Sequence, residues 1–277
     1  MFIDILKLIR VKDWSKNLLI FLPLIFSNNL LSYNYYFELL IAFIIFSLLS
    51  SVIYILNDIQ DIDYDSKNLE KINQKPIANN KISIPFAKFI ILFLFLLLST
   101  LVLFYNNLLI FISTYFLLNI FYIYILKNLP LLDIICVSIG YLIRIEVGSS
   151  IISVERSILM LLSIFFISIF VLSIKRRKEI ENNKYERFGL RFYNLKFLKI
   201  LSYISFLSSL GFFINYIIYK NTLLFISIPI VTYVFLRYLY ISNNTKKGEM
   251  PIDLVIRDTR LLFSCVFFFI IVFYSFL

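Results

Sequence analysis

Residues 36–65 read YFELLIAFIIFSLLSSVIYILNDIQDIDYD, an apolar run that passes directly into an acidic cluster. Residues 36–56 of this stretch contain one charged side chain, Glu38. About 20 consecutive apolar residues are enough for an α-helix to cross the hydrocarbon core of a membrane. The stretch therefore predicts a transmembrane helix over residues 36–56 that ends, at one membrane surface, in a group of carboxylates.

The rest of the chain has the same character. Of its 277 residues, 61% are apolar and 16% are charged, and the mean hydropathy is +0.89. In a soluble domain roughly 45–50% of the residues are apolar and about 25% are charged. These values exclude a soluble globular protein, a disordered chain and a nucleic-acid-binding domain. We expect an all-α, multi-pass membrane bundle of about nine transmembrane helices, forming one domain over residues 1–277. The nine helices are predicted at about 17–32, 36–56, 84–104, 107–126, 131–150, 157–174, 197–218, 221–240 and 259–277.

Several kinds of chemistry are excluded by residue counts. The chain contains no His, which removes His-based acid–base catalysis, zinc sites and haem ligation. Its five Gly residues form no glycine-rich phosphate loop. Cys136 and Cys265 both lie inside apolar runs, so we predict neither a disulfide framework nor a metal site from them.

Basic residues are concentrated on alternate connections between the predicted helices. The N-terminal segment and the even-numbered connections carry 23 of the 27 Lys and Arg residues, and the opposite connections carry only Arg156 and Lys220. The positive-inside rule therefore predicts a cytoplasmic N-terminus in a bacterial-type inner membrane. Two of the cytoplasmic connections, about 57–82 and 175–199, are long, and long loops in compact chains are usually functional.

The acidic cluster predicts a metal site. At 100° per residue, Asn57, Asp58, Asp61 and Asp65 fall within an arc of about 100°, whereas Asp63 points away. Carboxylates stacked on one helix face repel one another unless a cation lies among them. Oxygen ligands without Cys or His suit Mg²⁺, which binds one or two carboxylates together with substrate phosphates. The alternative is an acidic helix end offset by the lysines that follow it.

The order N-D-x-x-D-x-x-x-D from Asn57 to Asp65 resembles the first aspartate-rich motif of the UbiA superfamily. The resemblance implies a nine-helix intramembrane transferase that binds a diphosphate substrate through Mg²⁺. The segment Q-K-P-I-A at residues 74–78 resembles the R-P-I-A segment that follows this motif in the family. Lys75 stands where the family usually has Arg, which keeps the charge but loses bidentate phosphate geometry.

A second polar group follows the sixth predicted helix. Most aromatic prenyltransferases of the superfamily carry a second aspartate-rich motif there, but this chain has Lys175, Arg176 and Glu179 within an arc of about 100°. A cationic second site indicates a substrate with more negative charge than a prenyl diphosphate. The alternative is a basic stop-transfer signal that obeys the positive-inside rule.

Four segments resemble the decaprenyl-phosphate phosphoribosyltransferase branch of the superfamily. They are R-x-x-x-W-x-K-N from Arg10 to Asn17, G-x-x-x-R-x-x-x-G from Gly140 to Gly148, K-R-x-x-E from Lys175 to Glu179, and a closing segment with Arg237-Tyr238, Gly248-Glu249, Pro251, Asp253 and Arg257-Asp258.

The resemblance implies transfer of a 5-phosphoribosyl group from phosphoribosyl diphosphate to a polyprenyl (decaprenyl-type) phosphate, for cell-envelope polysaccharide synthesis. The partners are then an isoprenoid lipid phosphate and a diphosphate co-substrate, with Mg²⁺ as cofactor and no nucleic acid. The metal ligands would be Asn57, Asp58, Asp61 and Asp65. The phosphate contacts would come from Lys16, Lys75, Arg144, Lys175 and Arg176.

Two roles stay open at this point. Glu179 is a candidate for binding the ribose hydroxyls or for orienting Arg176. Asp58, Asp61 and Asp65 are the candidate catalytic residues, and the sequence does not select which of them assists as a base.

Arg144 lies about 13 residues, or roughly 20 Å, into the fifth predicted helix. An ionised side chain at that depth costs at least about 2.5–3.5 kcal/mol. We therefore expect it to face the bundle interior and to meet a substrate phosphate or a carboxylate of another helix. A structural ion pair between helices is the alternative.

Two other functions are considered. A UbiA-type prenyltransferase that joins a prenyl diphosphate to an aromatic or other acceptor fits the first motif equally well, but the missing second aspartate motif counts against it. A non-catalytic transporter is disfavoured because the charges collect at one end of the predicted helices rather than along a path between the two ends.

Overall fold

A computed structural model describes residues 1–27, 29–67, 72, 74–182, 188–244 and 251–276, except for the side chains of residues 188 and 251–253. Every regular element within these ranges is helical. The twelve α-helices are α1 Phe2–Leu8, α2 Leu22–Ile25, α3 Tyr33–Gln60, α4 Ile62–Asp65, α5 Ile84–Phe104, α6 Leu109–Tyr124, α7 Leu132–Ile151, α8 Ile158–Asn182, α9 Leu195–Lys220, α10 Ile228–Asn244, α11 Pro251–Arg257 and α12 Thr259–Phe276.

Eight helical segments in the described part of the chain are long and apolar enough to cross a membrane. They contain α3, α5, α6, α7, α8, α9, α10 and α12, with short 3₁₀ turns preceding α6 and α10. The predicted all-helical membrane bundle is confirmed. Exposed apolar side chains such as Phe89, Phe93 and Leu96 on α5 suit a lipid environment.

The first predicted helix, 17–32, is not a regular α-helix. An eleven-residue 3₁₀ helix over Val11–Phe21, here called the N-terminal 3₁₀ segment, precedes the short helix α2, which carries Pro23 near its start. The segment follows Arg10, whose φ of 51° is left-handed. Such long 3₁₀ runs are uncommon, and side chains hold this one in place. Trp14 donates to the Ser51 hydroxyl at 3.0 Å, and Asn17 donates to Ser47 at 3.0 Å.

Helix α8 is longer than predicted, because it continues to Asn182 instead of ending near residue 174. The basic and acidic residues that indicated a loop are good helix formers. Several of them form pairs one turn apart, such as Arg176 with Glu179 and Lys178 with Glu181. The predicted connection 175–199 therefore begins as helix, and residues 183–187 of it lie outside the described residues.

Two of the packing regions of the bundle join the helices that carry the polar groups. In the first, buried apolar side chains of α3, including Phe46, pack with α5, α6, α7 and the N-terminal 3₁₀ segment. In the second, an aromatic cluster of Phe170, Phe206, Phe235 and Tyr238 joins α8, α9 and α10. The acidic and basic groups described below lie at one end of these packed helices.

Gly148 permits a close approach between two elements. A Cβ atom at this position of α7 would lie 2.0 Å from the carbonyl oxygen of Ile20. Only a residue without a side chain lets the N-terminal 3₁₀ segment pack directly on α7. This contact places Asn17 of the segment next to Arg144 of the same helix.

Candidate active site

The predicted acidic face forms across a break in the helix. Helix α3 ends at Gln60, and α4 begins after Asp61, which adopts φ −94° and ψ 9°. The amide of Asp61 donates to the Asn57 carbonyl at 2.9 Å, and the amide of Asp65 donates to the Asp61 carbonyl at 2.9 Å. Because this spacing is helical, Asp58, Asp61 and Asp65 are buried at the same end, whereas Asp63 is exposed, as predicted.

Three basic side chains neutralise the three buried carboxylates. Arg10 donates to Asp58 at 2.5 Å, and Lys127 lies 2.6 Å from Asp61. Lys75 lies between Asp58 and Asp65, 2.9 Å from Asp58 and in contact with Asp65. The predicted phosphate ligand Lys75 thus lies inside the acidic face. Lys127 was not among the predicted site residues, and the available signal for it was a lone basic residue in an apolar region.

Two buried oxygen atoms of the aspartate face are available to a divalent cation. Within the described residues, Asn57 Oδ1 and Asp65 Oδ1 are buried and accept no hydrogen bond. An amide oxygen and a carboxylate oxygen left without donors are ligands that Mg²⁺ prefers. No group of three or more Asp, Glu, His or Cys side chains in those residues is arranged to hold a metal ion by itself. Either oxygen could therefore ligate a Mg²⁺ that takes most of its ligands from substrate phosphates and water.

Arg176 organises a second buried cluster. Its Nε donates to Asp133 at 2.6 Å, Nη1 donates to Glu179 at 2.6 Å, and Nη2 donates to the Tyr122 hydroxyl at 3.2 Å. The Tyr193 hydroxyl donates to the other oxygen of Asp133. Sequence reasoning did not select Asp133 or Tyr193. A carboxylate within the first residues of a predicted membrane helix was the available signal for Asp133.

The electrostatic surroundings shift several ionisation equilibria. Burial raises the pKa of Tyr193, and the neighbouring Asp133 carboxylate raises it further. Burial would lower the pKa of Arg10, but the Asp58 and Asp13 carboxylates and Tyr54 together outweigh that effect and raise it. The guanidinium of Arg237, 2.7 Å from Asp258, lowers the pKa of that carboxyl. These groups therefore keep Arg10 charged and Tyr193 protonated at neutral pH.

Lys16 and Lys175 both act electrostatically on Asp13. Lys16 lies 2.6 Å from Asp13 and donates to the Tyr54 hydroxyl at 3.5 Å. Burial raises the pKa of Asp13, but the charges of Lys16, Arg10 and Lys175 outweigh burial and hold the pKa below its ordinary value. Lys175 of α8 and the N-terminal 3₁₀ segment thus meet in one electrostatic neighbourhood.

Arg144 is buried and makes three hydrogen bonds to uncharged acceptors. Nε donates to Asn17 at 2.6 Å, Nη1 donates to the Gly140 carbonyl at 2.6 Å, and Nη2 donates to the Tyr115 hydroxyl at 2.7 Å. The guanidinium also lies over the Tyr115 ring, 4.7 Å from its centroid. The carboxylate partner that the sequence suggested, and with it a structural ion pair, is not found among the described residues. Neutral dipoles and aromatic rings stabilise this buried cation instead.

The two clusters meet near the connection between α6 and α7. Lys127, which binds Asp61, lies within that connection, and Asp133, which binds Arg176, lies six residues further on at the start of α7. The predicted site residues are therefore brought to one end of the bundle, with Arg144 deeper. Gly248 and Glu249 of the closing segment, and residues 68–71 and 73 of the predicted 57–82 connection, lie outside the described residues.

Comparison with known proteins identifies the family. The profile of the UbiA prenyltransferase family matches residues 21–252. The chain belongs to the UbiA prenyltransferase family. Together with the eight apolar helices, this makes it a membrane protein of a transferase superfamily.

Two curated relatives within this family carry the same name. The chain is 30% identical over 183 residues to a decaprenyl-phosphate phosphoribosyltransferase from Mycolicibacterium smegmatis, covering 64% of this chain and 57% of that protein. It is 31% identical over 180 residues to the protein of that name from Corynebacterium glutamicum, covering 63% and 54%. The chain thus matches slightly more than half the length of these relatives.

Solved structures of a UbiA homologue from Archaeoglobus fulgidus have the same fold. The structure bound to GPP and Mg²⁺ matches with a TM-score of 0.71 at 17% identity, covering 99% of each chain. The structure bound to DMAPP and Mg²⁺ matches with a TM-score of 0.68 at 16% identity, covering 98% of each chain.

Proposed function

We propose that this UbiA family member transfers a 5-phosphoribosyl group from phosphoribosyl diphosphate to a polyprenyl phosphate in a Mg²⁺-dependent reaction. The observation that supports this most directly is the buried Arg176 cluster. A second polar site, built from Asp133, Arg176 and Glu179, lies at the same end of the bundle as the aspartate face. A prenyl diphosphate has one polar head, whereas phosphoribosyl diphosphate adds a 5-phosphate and two ribose hydroxyls.

The names of the 30–31% identical relatives agree with this proposal. The orientation proposed with it places both clusters at the cytoplasmic surface, where a water-soluble phosphoribosyl donor is accessible. The product would supply cell-envelope polysaccharide synthesis.

The aspartate face would hold the diphosphate. Asn57 and Asp65 offer the two buried oxygens that lack donors, and Asp58 and Asp61 complete the proposed Mg²⁺ site. When bound, Mg²⁺ stabilises the negative charge that develops on departing diphosphate. Lys75, held between Asp58 and Asp65, lies where its ammonium can contact that diphosphate.

The reaction needs little from a protein base. An oxygen of the polyprenyl phosphate attacks the anomeric carbon of ribose, and the bond from that carbon to the diphosphate oxygen breaks, with both electrons leaving on diphosphate. Because the acceptor phosphate is already anionic at pH 7, a chain without His can carry out this step.

The second cluster would bind the rest of the donor. Asp133 and Glu179 can accept hydrogen bonds from ribose hydroxyls, and Arg176 orients both carboxylates. Lys16 and Lys175 remain the candidates for phosphate contacts, whereas Arg144 already uses three donor groups within the protein. This assignment gives Arg176 a positioning role, because three of its donor groups are already used within the protein.

The second candidate is a UbiA-type prenyltransferase. The homologue structures bound to GPP or DMAPP with Mg²⁺ favour it, and they match the whole chain in fold. Against it stands the buried basic residue, Arg176, at the end of α8, where most aromatic prenyltransferases of the superfamily carry aspartates.

One assay separates the two candidates. Purified protein in detergent is supplied with labelled phosphoribosyl diphosphate, a polyprenyl phosphate and Mg²⁺, and lipid-soluble label is measured. We expect labelled lipid only when all three are present. Parallel reactions contain labelled geranyl diphosphate with an aromatic acceptor. Product in the second set and none in the first would replace the phosphoribosyl assignment by prenyl transfer.

A further inference from the structure

A second polar cleft lies between the end of α8, the start of α9 and the end of α10. It has a volume of about 280 Å³. Its polar lining consists of Arg177, Lys178, Glu181, Lys196, Lys199 and Asn243. Four of these side chains are basic and one is acidic, so the cleft carries a formal charge of +3.

This cleft is separate from the candidate active site. Arg177 and Lys178 lie about 100° and 200° around α8 from Arg176. Arg176 bonds to Asp133 toward the bundle interior, whereas Arg177 donates to Asn243 of α10 at 2.5 Å. None of the residues assigned to the aspartate face or the Arg176 cluster lines the cleft.

Arg177 and Lys178, at the base of the cleft, are both buried, and they share a single carboxylate, that of Glu181. Arg177 and Lys178 are each 6% exposed. Lys178 lies 2.6 Å from Glu181, whereas the Nε of Arg177 lies 3.5 Å from the same carboxylate and makes no hydrogen bond within the described residues. Buried charges that are only partly compensated are costly. A bound anion would supply both the missing charge and an acceptor for Arg177.

The remaining wall of the cleft adds positive charge at its mouth. Lys196 and Lys199 lie in the first turns of α9 and are exposed. The start of a helix also carries a partial positive charge. Leu195, Phe197 and Ile200, in the same turns, are 41%, 40% and 56% exposed. Basic side chains beside exposed apolar ones, at the end of a membrane helix, are typical of the membrane interface.

We propose that this cleft binds the phosphate of an anionic phospholipid headgroup, with the acyl chains lying against the apolar side chains of α9. Basic pockets between transmembrane helices bind such headgroups. Free inorganic phosphate shares the charge and the acceptor oxygens, but it has no part that would contact the exposed apolar surface. The site is independent of the proposed transferase function.

The test measures lipid binding by the purified full chain in a zwitterionic detergent. Phosphatidylglycerol, phosphatidylcholine and inorganic phosphate are titrated separately, with binding followed by native mass spectrometry and thermal stability. The test variant is Lys196→Gln/Lys199→Gln, which changes only exposed residues. The matched control is Lys88→Gln/Arg260→Gln, which removes two exposed basic residues from the same end of other helices.

Phosphatidylglycerol is expected to bind the unchanged chain and the control variant with equal affinity, and phosphatidylcholine to bind neither. The test variant should bind phosphatidylglycerol about 30-fold more weakly, from roughly fivefold per basic residue near a membrane surface. Equal weakening in both variants, or none in the test variant, would overturn the site. Binding of inorganic phosphate that depends on Lys196 and Lys199, without binding of phosphatidylglycerol, would overturn the lipid assignment.

Discussion

Individual residues at the candidate site act in pairs that cancel buried charge. Asp61 has Lys127, and Asp65 shares Lys75 with Asp58. Removing one member of a buried ion pair leaves the other uncompensated, at a cost of about 3–5 kcal/mol. A substitution of one of these aspartates therefore tests catalysis, rather than folding, only where the cation left behind still has a second carboxylate near it.

Asp65 meets that condition, because Lys75 would remain 2.9 Å from Asp58. We expect Asp65→Asn to weaken the apparent Mg²⁺ affinity by at least about 10-fold, the lower limit for disturbing even the outer shell of a metal site. Transfer rate is measured against Mg²⁺ concentration, and thermal unfolding checks the fold. The control is Asp63→Asn, which is exposed and should change the rate by no more than about twofold. Equal losses in the two variants would contradict a single metal-binding face.

Arg176 offers a second test at this scale. Arg176→Lys keeps the positive charge but cannot reproduce the hydrogen bonds to Asp133, Glu179 and Tyr122. We expect the KM for phosphoribosyl diphosphate to rise by at least about 10-fold, corresponding to roughly 1.5 kcal/mol for a charged hydrogen bond. The KM for the polyprenyl phosphate should change little.

Arg191→Lys, an exposed position on the same side of the bundle, is the control and should leave both KM values unchanged. Arg176→Ala is unsuitable alone, because two buried carboxylates would lose their counter-ion and the fold would be destabilised. If the kinetics of Arg176→Lys are unchanged, the basic residues at the end of α8 serve only as a stop-transfer signal, and prenyl transfer becomes the favoured reaction.

Among the elements, the N-terminal 3₁₀ segment has the most demanding geometry. It runs for eleven residues and carries Trp14, Lys16 and Asn17 toward α3 and α7. Its own backbone hydrogen bonds are weaker than those of an α-helix, so its conformation depends on side-chain bonds and on close packing against α7. Gly148 is the position where that packing is tightest.

Gly148→Ala is expected to separate the segment from α7, because the new Cβ would lie 2.0 Å from the Ile20 carbonyl oxygen. Overpacking of this kind costs about 1–3 kcal/mol, and displacement of Asn17 should reduce transfer as well. Gly211→Ala is the matched control, since no heavy atom lies within 4 Å of its Cβ position in α9. That variant should be more stable by about 0.5–1 kcal/mol. Thermal unfolding in detergent measures both, and equal stability of the two variants would contradict the close contact.

At the scale of the whole molecule, charge is distributed unevenly between the two ends. Both buried clusters and the basic cleft lie at the end where α3, α8 and α10 terminate and α9 begins. The opposite connections carry two basic residues, Arg156 and Lys220. The positive-inside rule then predicts that the candidate active site lies at the cytoplasmic surface.

Reporter fusions test that orientation. Fusions after residues 65, 180 and 245 are expected to report the cytoplasm, and a fusion after residue 277 the periplasm. A phosphatase active only in the periplasm and a fluorescent protein active only in the cytoplasm provide opposite signals at each site. A periplasmic signal at residue 65 would overturn the proposed access of phosphoribosyl diphosphate to the aspartate face.

The sequence alone determined that this is a helical membrane protein with an aspartate face, because hydropathy and the helical period are local properties. The same local period placed Asp63 outside the face. Only the tertiary structure decided which cations neutralise that face and which carboxylates hold Arg176. The partners Arg10–Asp58, Lys127–Asp61 and Arg176–Asp133 are separated by 48, 66 and 43 residues, and no local pattern specifies contacts over such distances. The 3₁₀ conformation of the N-terminal segment could not be predicted for the same reason, because it depends on hydrogen bonds to α3 and α7 rather than on the apolar composition of the segment.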